Sequence, residues 1–236
     1  MSRIDIDGTF NLRDVGGLPV AGGGSVRSGL LYRGDALDAL SDAGMAALRN
    51  LHLRTVIDLR EPIERRGPNP LDVESEAIPI LCDRLEYDEF DDIAELYITI
   101  VDVAGRELTN AIARLARPKT LPALVHCTAG KDRTGLVVGL LLAALGVPDD
   151  AVAANYALTE VNFSDEARAR AFERAVKAGL PAQKFAVMAG SPPQLMLDIL
   201  EHVRATHGTV AGYLDEHGLP AAALADLRRS LINVAA

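Results

Sequence analysis

The 236-residue chain carries 33 acidic against 24 basic side chains, a net charge of −9, and no tryptophan. That balance argues against a general nucleic-acid binder and against a polybasic membrane anchor. Two cysteines, Cys82 and Cys127, exclude a disulfide scaffold. With 49% apolar residues there is ample core, built mostly by Ala, Leu and Val. The length fits one α/β domain with a helical extension. The polar start, Met1 to Gly8, has no apolar signal core. The longest apolar run, Gly135 to Gly146, is shorter than the ~20 residues that span a bilayer. A cytoplasmic protein with no integral membrane segment is the expectation.

In chain order, Leu30–Tyr32 reads as an edge strand. Ser41 caps a helix running through Leu51. Thr55–Leu59, Ala77–Leu81 and Leu124–Cys127 are short apolar runs that suit buried strands of a largely parallel sheet. Ile93 to Ala116 reads as one or two helices, ending before Pro118. Thr134–Leu145 is apolar all round and is expected as a buried helix, closed by Gly146 and Pro148. Beyond Asp149 the chain reads as helical throughout. Ser164–Ala178, Pro193–Ala205, Thr209–His217 and Pro220–Ile232 are the segments, with Pro220 at a first helical position. The fold class is α/β, a central, mostly parallel sheet flanked by helices. Residues 1–158 form the sheet core and 159–236 the helical extension. Thr159 to Gly190 is a candidate lid over the cleft, with Phe163 or Phe172 facing it.

The stretch Leu124-Val-His-Cys-Thr-Ala-Gly-Lys-Asp-Arg-Thr-Gly135 carries the chemistry. A buried strand feeds a short polar loop, and the loop feeds an apolar helix. Loop amides at a helix N-terminus form an anion site. Gly130 lets the backbone of Thr128, Ala129 and Lys131 curl so that successive N–H groups point inward. Cys127 lies at the floor of that nest, where the donors that bind phosphate also stabilise a thiolate. Arg133 returns from the far side, and its planar fork takes two oxygens at once.

His126-Cys127-(five residues)-Arg133-Thr134 resembles the signature loop of protein tyrosine phosphatases. With Lys131 and Asp132 before Arg133, the loop resembles that of the atypical bacterial tyrosine, dual-specificity and lipid phosphatases. Phe10-Asn-Leu-Arg-Asp-Val-Gly-Gly17, Leu31-Tyr32-Arg33, Val56-Ile-Asp-Leu-Arg60 and the tail Gly208–Tyr213 with Gly218-Leu219 and Leu227-Arg228 look like further motifs of that family. Gly34 departs from it, since a serine is expected after Tyr-Arg. The resemblance implies a protein-tyrosine-phosphatase-like fold and two-step, metal-independent hydrolysis without a cofactor. Cys127 is then the nucleophile. Arg133 and the loop amides hold the equatorial oxygens. Thr134 hydrogen-bonds the sulfur, and His126 supports the loop from behind. Asp132 resembles the in-loop acid of myotubularin-type lipid phosphatases, with Asp58 and Asp83 as reserves. Lys131 is the candidate contact for a neighbouring phosphate. A phosphorylated protein or a phosphoinositide is the implied partner, and no nucleic acid.

Rival readings stay open at this point. One is a non-catalytic phosphate-binding module of the same fold. Another is a loop-cysteine enzyme handling sulfur or arsenate. Arg13 and Asp14 are expected to pair with each other. Asp58 and Arg60 sit at the C-terminal edge of a strand, where open α/β sheets bind ligands. His52, His202, His207 and His217 lack metal-ligand spacing and read as structural or surface residues. Cys82 follows an apolar run and is expected at a strand end near Cys127. Its segment resembles the stretch of the tumour-suppressor phosphoinositide phosphatase that carries a resolving cysteine. A protective Cys82–Cys127 disulfide and an inert core thiol are the two readings.

Overall fold

The computed structural model describes residues 3–80, 90, 92–165 and 189–234, together with positions 168, 169, 172, 173, 176, 181, 182 and 185. The central sheet uses β1 (Arg13–Asp14), β3 (Leu31–Gly34), β4 (Thr55–Asp58), β5 (Glu74–Ala77) and β6 (Ala123–His126), in the order β1-β3-β6-β4-β5. Only β1 runs antiparallel to its neighbour. A separate ribbon pairs β2 (Ser25–Val26) with β7 (Ile232–Asn233), so the chain's end returns to its beginning.

Side chains alternate across each strand, and this assigns the two faces of the sheet. Leu31, Ile57, Ala123 and Val125 enter a large core together with Cys127. Tyr32, Val56 and Leu124 enter a smaller one under α1 (Asp42–Arg49). The large core is built with α2 (Ile93–Val103), α3 (Gly105–Leu115), α4 (Asp132–Ala144) and α5 (Asp149–Asn162). The remaining described helices are α6 (Pro193–His207), α7 (Val210–Glu216) and α8 (Ala221–Leu231). α6 packs on α5 and α2, and Arg204 clasps Asp149 of α5 at 2.5 and 2.7 Å.

Most expected elements are present, and their differences have physical causes. Ser41 caps α1 by accepting from Gly44 N. Ile93 to Ala116 is two helices, interrupted at Ala104. Leu31–Gly34 is an interior strand, because the two-residue β1 covers its outer side. The strand expected at Ala77–Leu81 begins earlier, at Glu74. β5 is the sheet edge, so its polar side chains remain hydrated while Glu74 and Glu76 pair with Arg114. The apolar residues beyond it still continue the ladder, with Ile78 N–H donating to Asp58 O (2.9 Å) and Ile80 N–H to Leu59 O (3.2 Å). Pro220 caps α8 one position before its first turn, and Ile232 belongs to β7. No helix among the described residues is long and apolar enough to cross a membrane.

Candidate active site

β6 ends at His126, Cys127 is 1% exposed, and α4 begins at Asp132. The loop between them is shaped by what holds its carbonyls. Asn11 Nδ2 donates to Ala129 O (2.9 Å) and Gly130 O (3.2 Å), and Arg33 Nη2 donates to Gly130 O (3.0 Å). Ala36 N–H donates to Thr128 O (3.2 Å). In a trans peptide the C=O and the following N–H point opposite ways. Carbonyls tied outward therefore turn the amides of Ala129, Gly130 and Lys131 toward the other side, where an anion is received. Gly130 has φ +67°, and a Cβ there would run into the Gly34 carbonyl. At Gly34 a Cβ would meet Leu12 Cδ1 at 2.9 Å, the far end of a side chain and not backbone.

A buried polar network supports these donors. Arg13 donates to the Asn11 side chain, to Asn155 O (3.0 Å) and to Thr159 Oγ1 (3.2 Å). Arg33 Nη1 reaches Asn155 Oδ1 (3.1 Å). Asp35 accepts from the amides of Phe10 and Asn11, the latter at 2.8 Å. Burial pushes its carboxyl up to about 6, against the pull of those amides and of Arg13. Burial likewise lowers Arg33 to about 10, while nearby Tyr156 and Cys127 work the other way. The Arg13–Asp14 pair expected from sequence does not form. Adjacent strand residues face opposite ways, and Asp14 accepts instead from the amides of Gly16 (2.8 Å) and Gly29 (2.6 Å).

Arg133 is 7% exposed, and Glu64 takes both of its terminal nitrogens, Oε2 to Nη1 at 2.5 Å and Oε1 to Nη2 at 2.7 Å. Thr128 Oγ1 donates to the same carboxylate at 2.6 Å. Burial opposes ionisation of Glu64, but the Arg133 and Thr128 contacts outweigh it and hold its pKa down to about 2. Thr134 is fully buried, and its hydroxyl has no hydrogen-bond partner among the described residues, the Cys127 sulfur included.

Asp132 Oδ1 accepts from Tyr97 OH at 2.6 Å and lies 3.1 Å from Lys131 Nζ. Lys131 is 5% exposed and also donates to Gly190 O at 3.1 Å, so it is not a solvated surface charge.

Asp58 and His126 project from the strand face that packs on α1, opposite the one that receives Cys127. The Asp58 carboxylate is held by Arg60 at 3.0 and 2.9 Å. Burial raises its pKa, yet Arg60 and His126 bring it below the ordinary value. The His126 Nε2 lies 3.9 Å from it. His126 Nδ1 contacts Cys127 O at 3.2 Å. Burial disfavours the charged imidazole, and a neutral ring donates from Nδ1 to the Cys127 carbonyl. A cavity of about 250 Å³ on this face is lined by Asp38, Asp58, Arg60, Arg65 and His126, and Cys127 does not border it.

The expectations for Cys82 and Asp83 lie outside the described residues. The proposed lid, Thr159 to Gly190, lies partly there too. In its described part Phe163 packs edge-on against Phe10 (4.5 Å between centroids) and Phe172 against Phe185 (5.3 Å). His202 and His207 pair with Asp102 and Glu216, and His217 contacts Tyr213 O. Sequence reasoning gave no site role to Asn11, Arg33, Glu64, Tyr97, Asn155, Tyr156 or Thr159. Asn11 and Arg33 lie inside quoted motifs. Tyr97 carries the one usable signal among the others, a polar tip on an otherwise aliphatic helix face.

A buried cysteine, a loop whose carbonyls are tied down by Asn11, Arg33 and Ala36, and an arginine clamped by Glu64 are the parts that an oxyanion-handling thiol enzyme requires. Residues 4–233 match the tyrosine phosphatase family, and the chain belongs to it. It is a cysteine-dependent phosphatase, a phosphoric monoester hydrolase. The triple specificity protein phosphatase PtpB of Mycobacterium tuberculosis is 30% identical, over 99% of this chain and all of that one. A putative tyrosine-protein phosphatase of Cupriavidus necator is 36% identical, over 85% of this chain and 74% of that one. Among solved structures, the core catalytic domain of the PP-IP phosphatase SIW14 from S. cerevisiae aligns with a TM-score of 0.40 and 13% identity, over 88% of this chain and 96% of that one.

Proposed function

We propose that the chain hydrolyses phosphotyrosine monoesters, and beyond them phosphoserine/threonine and phosphoinositides, through a phosphocysteine on Cys127. The observation that carries this reading is the outward tethering of the Ala129 and Gly130 carbonyls above a buried cysteine. The thiolate attacks phosphorus in line, and Asp132 gives its proton to the departing oxygen. Water then attacks the phosphocysteine, Asp132 takes a proton from it, and the thiolate leaves. Arg133 and the loop amides hold the equatorial oxygens through both steps. The unused Thr134 hydroxyl is the donor for the departing sulfur. Lys131 is the loop cation that meets a second phosphate of an inositol headgroup, releasing Gly190 O as it does so. The printed name of the mycobacterial relative, a triple specificity phosphatase, fits this range.

Residues 1–236 act as one phosphatase domain in this reading, with the helical part from 159 onward bordering the cleft. An essential thiol suits a reducing compartment, and the cytoplasm is the proposed location. The test is a side-by-side panel of phosphopeptides and phosphoinositides with wild type and Cys127→Ser. Cys127→Ser is expected to lose turnover and to keep substrate binding. Wild-type activity is expected to survive chelators and fail with vanadate. Near-normal rates in Cys127→Ser would end the proposal.

A further inference from the structure

Three helices meet at Asp132 through hydroxyl groups. Tyr97 of α2 is 0% exposed, and its single phenolic proton is donated to Asp132 Oδ1 at 2.6 Å. The contact between Tyr97 OH and Tyr156 OH, 2.9 Å, must then be donated by Tyr156 of α5. Tyr156 is itself buried, and its ring rests against α4 at Gly135. A Cβ on Gly135 would stand 2.9 Å from Tyr156 Cε2 and 3.0 Å from Cδ2. The glycine that ends the loop motif is therefore the seat of this ring. The line runs from Gly135 to Tyr156, to Tyr97, to Asp132.

We infer that Tyr97, backed by Tyr156, is a positioning residue that keeps Asp132 Oδ1 turned into the protein and leaves Oδ2 as the oxygen that carries the catalytic proton. This rests on the reading of Asp132 as the general acid. Oδ1 already faces two donors, the Tyr97 hydroxyl and Lys131 Nζ at 3.1 Å. A proton on that oxygen would set donor against donor, so it resides on Oδ2. Oδ1 is an acceptor whether Asp132 is neutral or ionised, so the carboxyl gives a proton in the first step and takes one in the second without rotating.

The phenol does not compete as an acid. Burial first, then the neighbouring Asp132 and Tyr156, raises Tyr97 well above the ordinary phenol range. The groups that face this assembly are Lys131 beside Asp132, Tyr97 from α2, Tyr156 and Glu160 from α5, and Arg33 from β3. Among them the Tyr97 hydroxyl is a hydrogen-bond donor to the carboxylate itself, and such a bond favours the ionised form.

The experiment is kcat for aryl phosphates of graded leaving-group basicity, with thermal melts to verify folding. Tyr97→Phe keeps the ring and loses only the hydroxyl. It is expected to lose roughly tenfold on poor leaving groups and little on good ones. Tyr156→Phe is expected to act in the same direction and less, and it decides the matter if Tyr97→Phe does not fold. An equal loss for every leaving group overturns the inference and leaves the tyrosines as packing residues. Asp132→Asn is the separate arm. If its own loss is equal for every leaving group, the general-acid reading has failed, and the positioning role falls with it.

Discussion

Glu64 holds Arg133 by both terminal nitrogens, at 2.5 and 2.7 Å, and at the same time takes the Thr128 hydroxyl at 2.6 Å. One carboxylate thus orients the guanidinium and one wall of the anion loop. It keeps the plane of the fork fixed before any substrate arrives, which is the preorganisation that charge stabilisation requires.

Glu64→Ala is expected to lower kcat by roughly tenfold or more, because an unbraced arginine must be ordered by the substrate itself. Glu64→Gln keeps an acceptor oxygen but no charge and is expected to lose less. Stability should respond as well. The folded pKa of Glu64, about 2, lies below its ordinary 4.5. Between those values the unfolded chain binds a proton that the native state does not. The contribution is therefore complete above pH 4.5 and lost as pH falls toward 2. Melting temperatures between pH 5 and 2.5 should fall less steeply for Glu64→Gln than for wild type. Parallel curves would show that the pair contributes nothing to folding.

Arg133→Lys is expected to be nearly as damaging as Arg133→Ala, with a loss of ~10²-fold or more in kcat. A lysine keeps the charge, but it cannot meet the Glu64 carboxylate with two nitrogens and still present donors to two phosphoryl oxygens. The ratio of the two variants on one substrate checks this. A lysine variant with most of the wild-type rate would place the grip on phosphate elsewhere.

Asn11 donates to two loop carbonyls, so Asn11→Ala is expected to release the peptides that point the Gly130 and Lys131 amides inward. The Arg13 guanidinium also loses its Asn11 side-chain acceptor. Buried groups left without partners cost about 1–3 kcal/mol each, so the melting temperature should fall. The informative measurement is vanadate or phosphate affinity in variants that remain folded. It is expected to weaken in step with kcat, since both depend on the same amides. Unchanged oxyanion affinity would mean that α4 and Arg133 hold the loop without help.

The strand, loop and helix around Cys127 were legible because the sequence changes character sharply there, from apolar to polar and back within a dozen residues. β1 was not, because two charged residues give no periodicity. The Arg13–Asp14 pairing failed on alternation, which only a strand assignment reveals. β5 was placed late because the apolar run attracts attention, while the named strand is the polar edge before it. The positions of Asn11, Arg33 and Asn155 around the loop were invisible for a different reason. Their roles are set by distance in space, across separations of 97 to 148 residues, and no local pattern encodes that. Glu64 was hidden in a run of charges where one carboxylate looks like the next.

Gly130 and Gly34 face each other across the gap between the loop and β3, and substitutions there are expected to differ sharply. Gly130 lies at φ +67°, where a side chain costs roughly 1–2 kcal/mol on conformation alone. Its added Cβ would also strike the Gly34 carbonyl and come within 2.8 Å of Asp35 N, both backbone atoms that cannot step aside. Gly130→Ala is therefore expected to displace the loop, remove most activity and lower the melting temperature. At Gly34 the added Cβ meets Leu12 Cδ1 at 2.9 Å, the far end of a side chain that can change rotamer. Gly34→Ala should cost little stability and leave kcat within a few-fold of wild type, because the carbonyl facing Gly130 stays where it is. Parallel melts and kinetics of the two variants check the contrast. Equal damage at both positions would mean that the fit between β3 and the loop, rather than the backbone of Gly130, is what shapes the anion site.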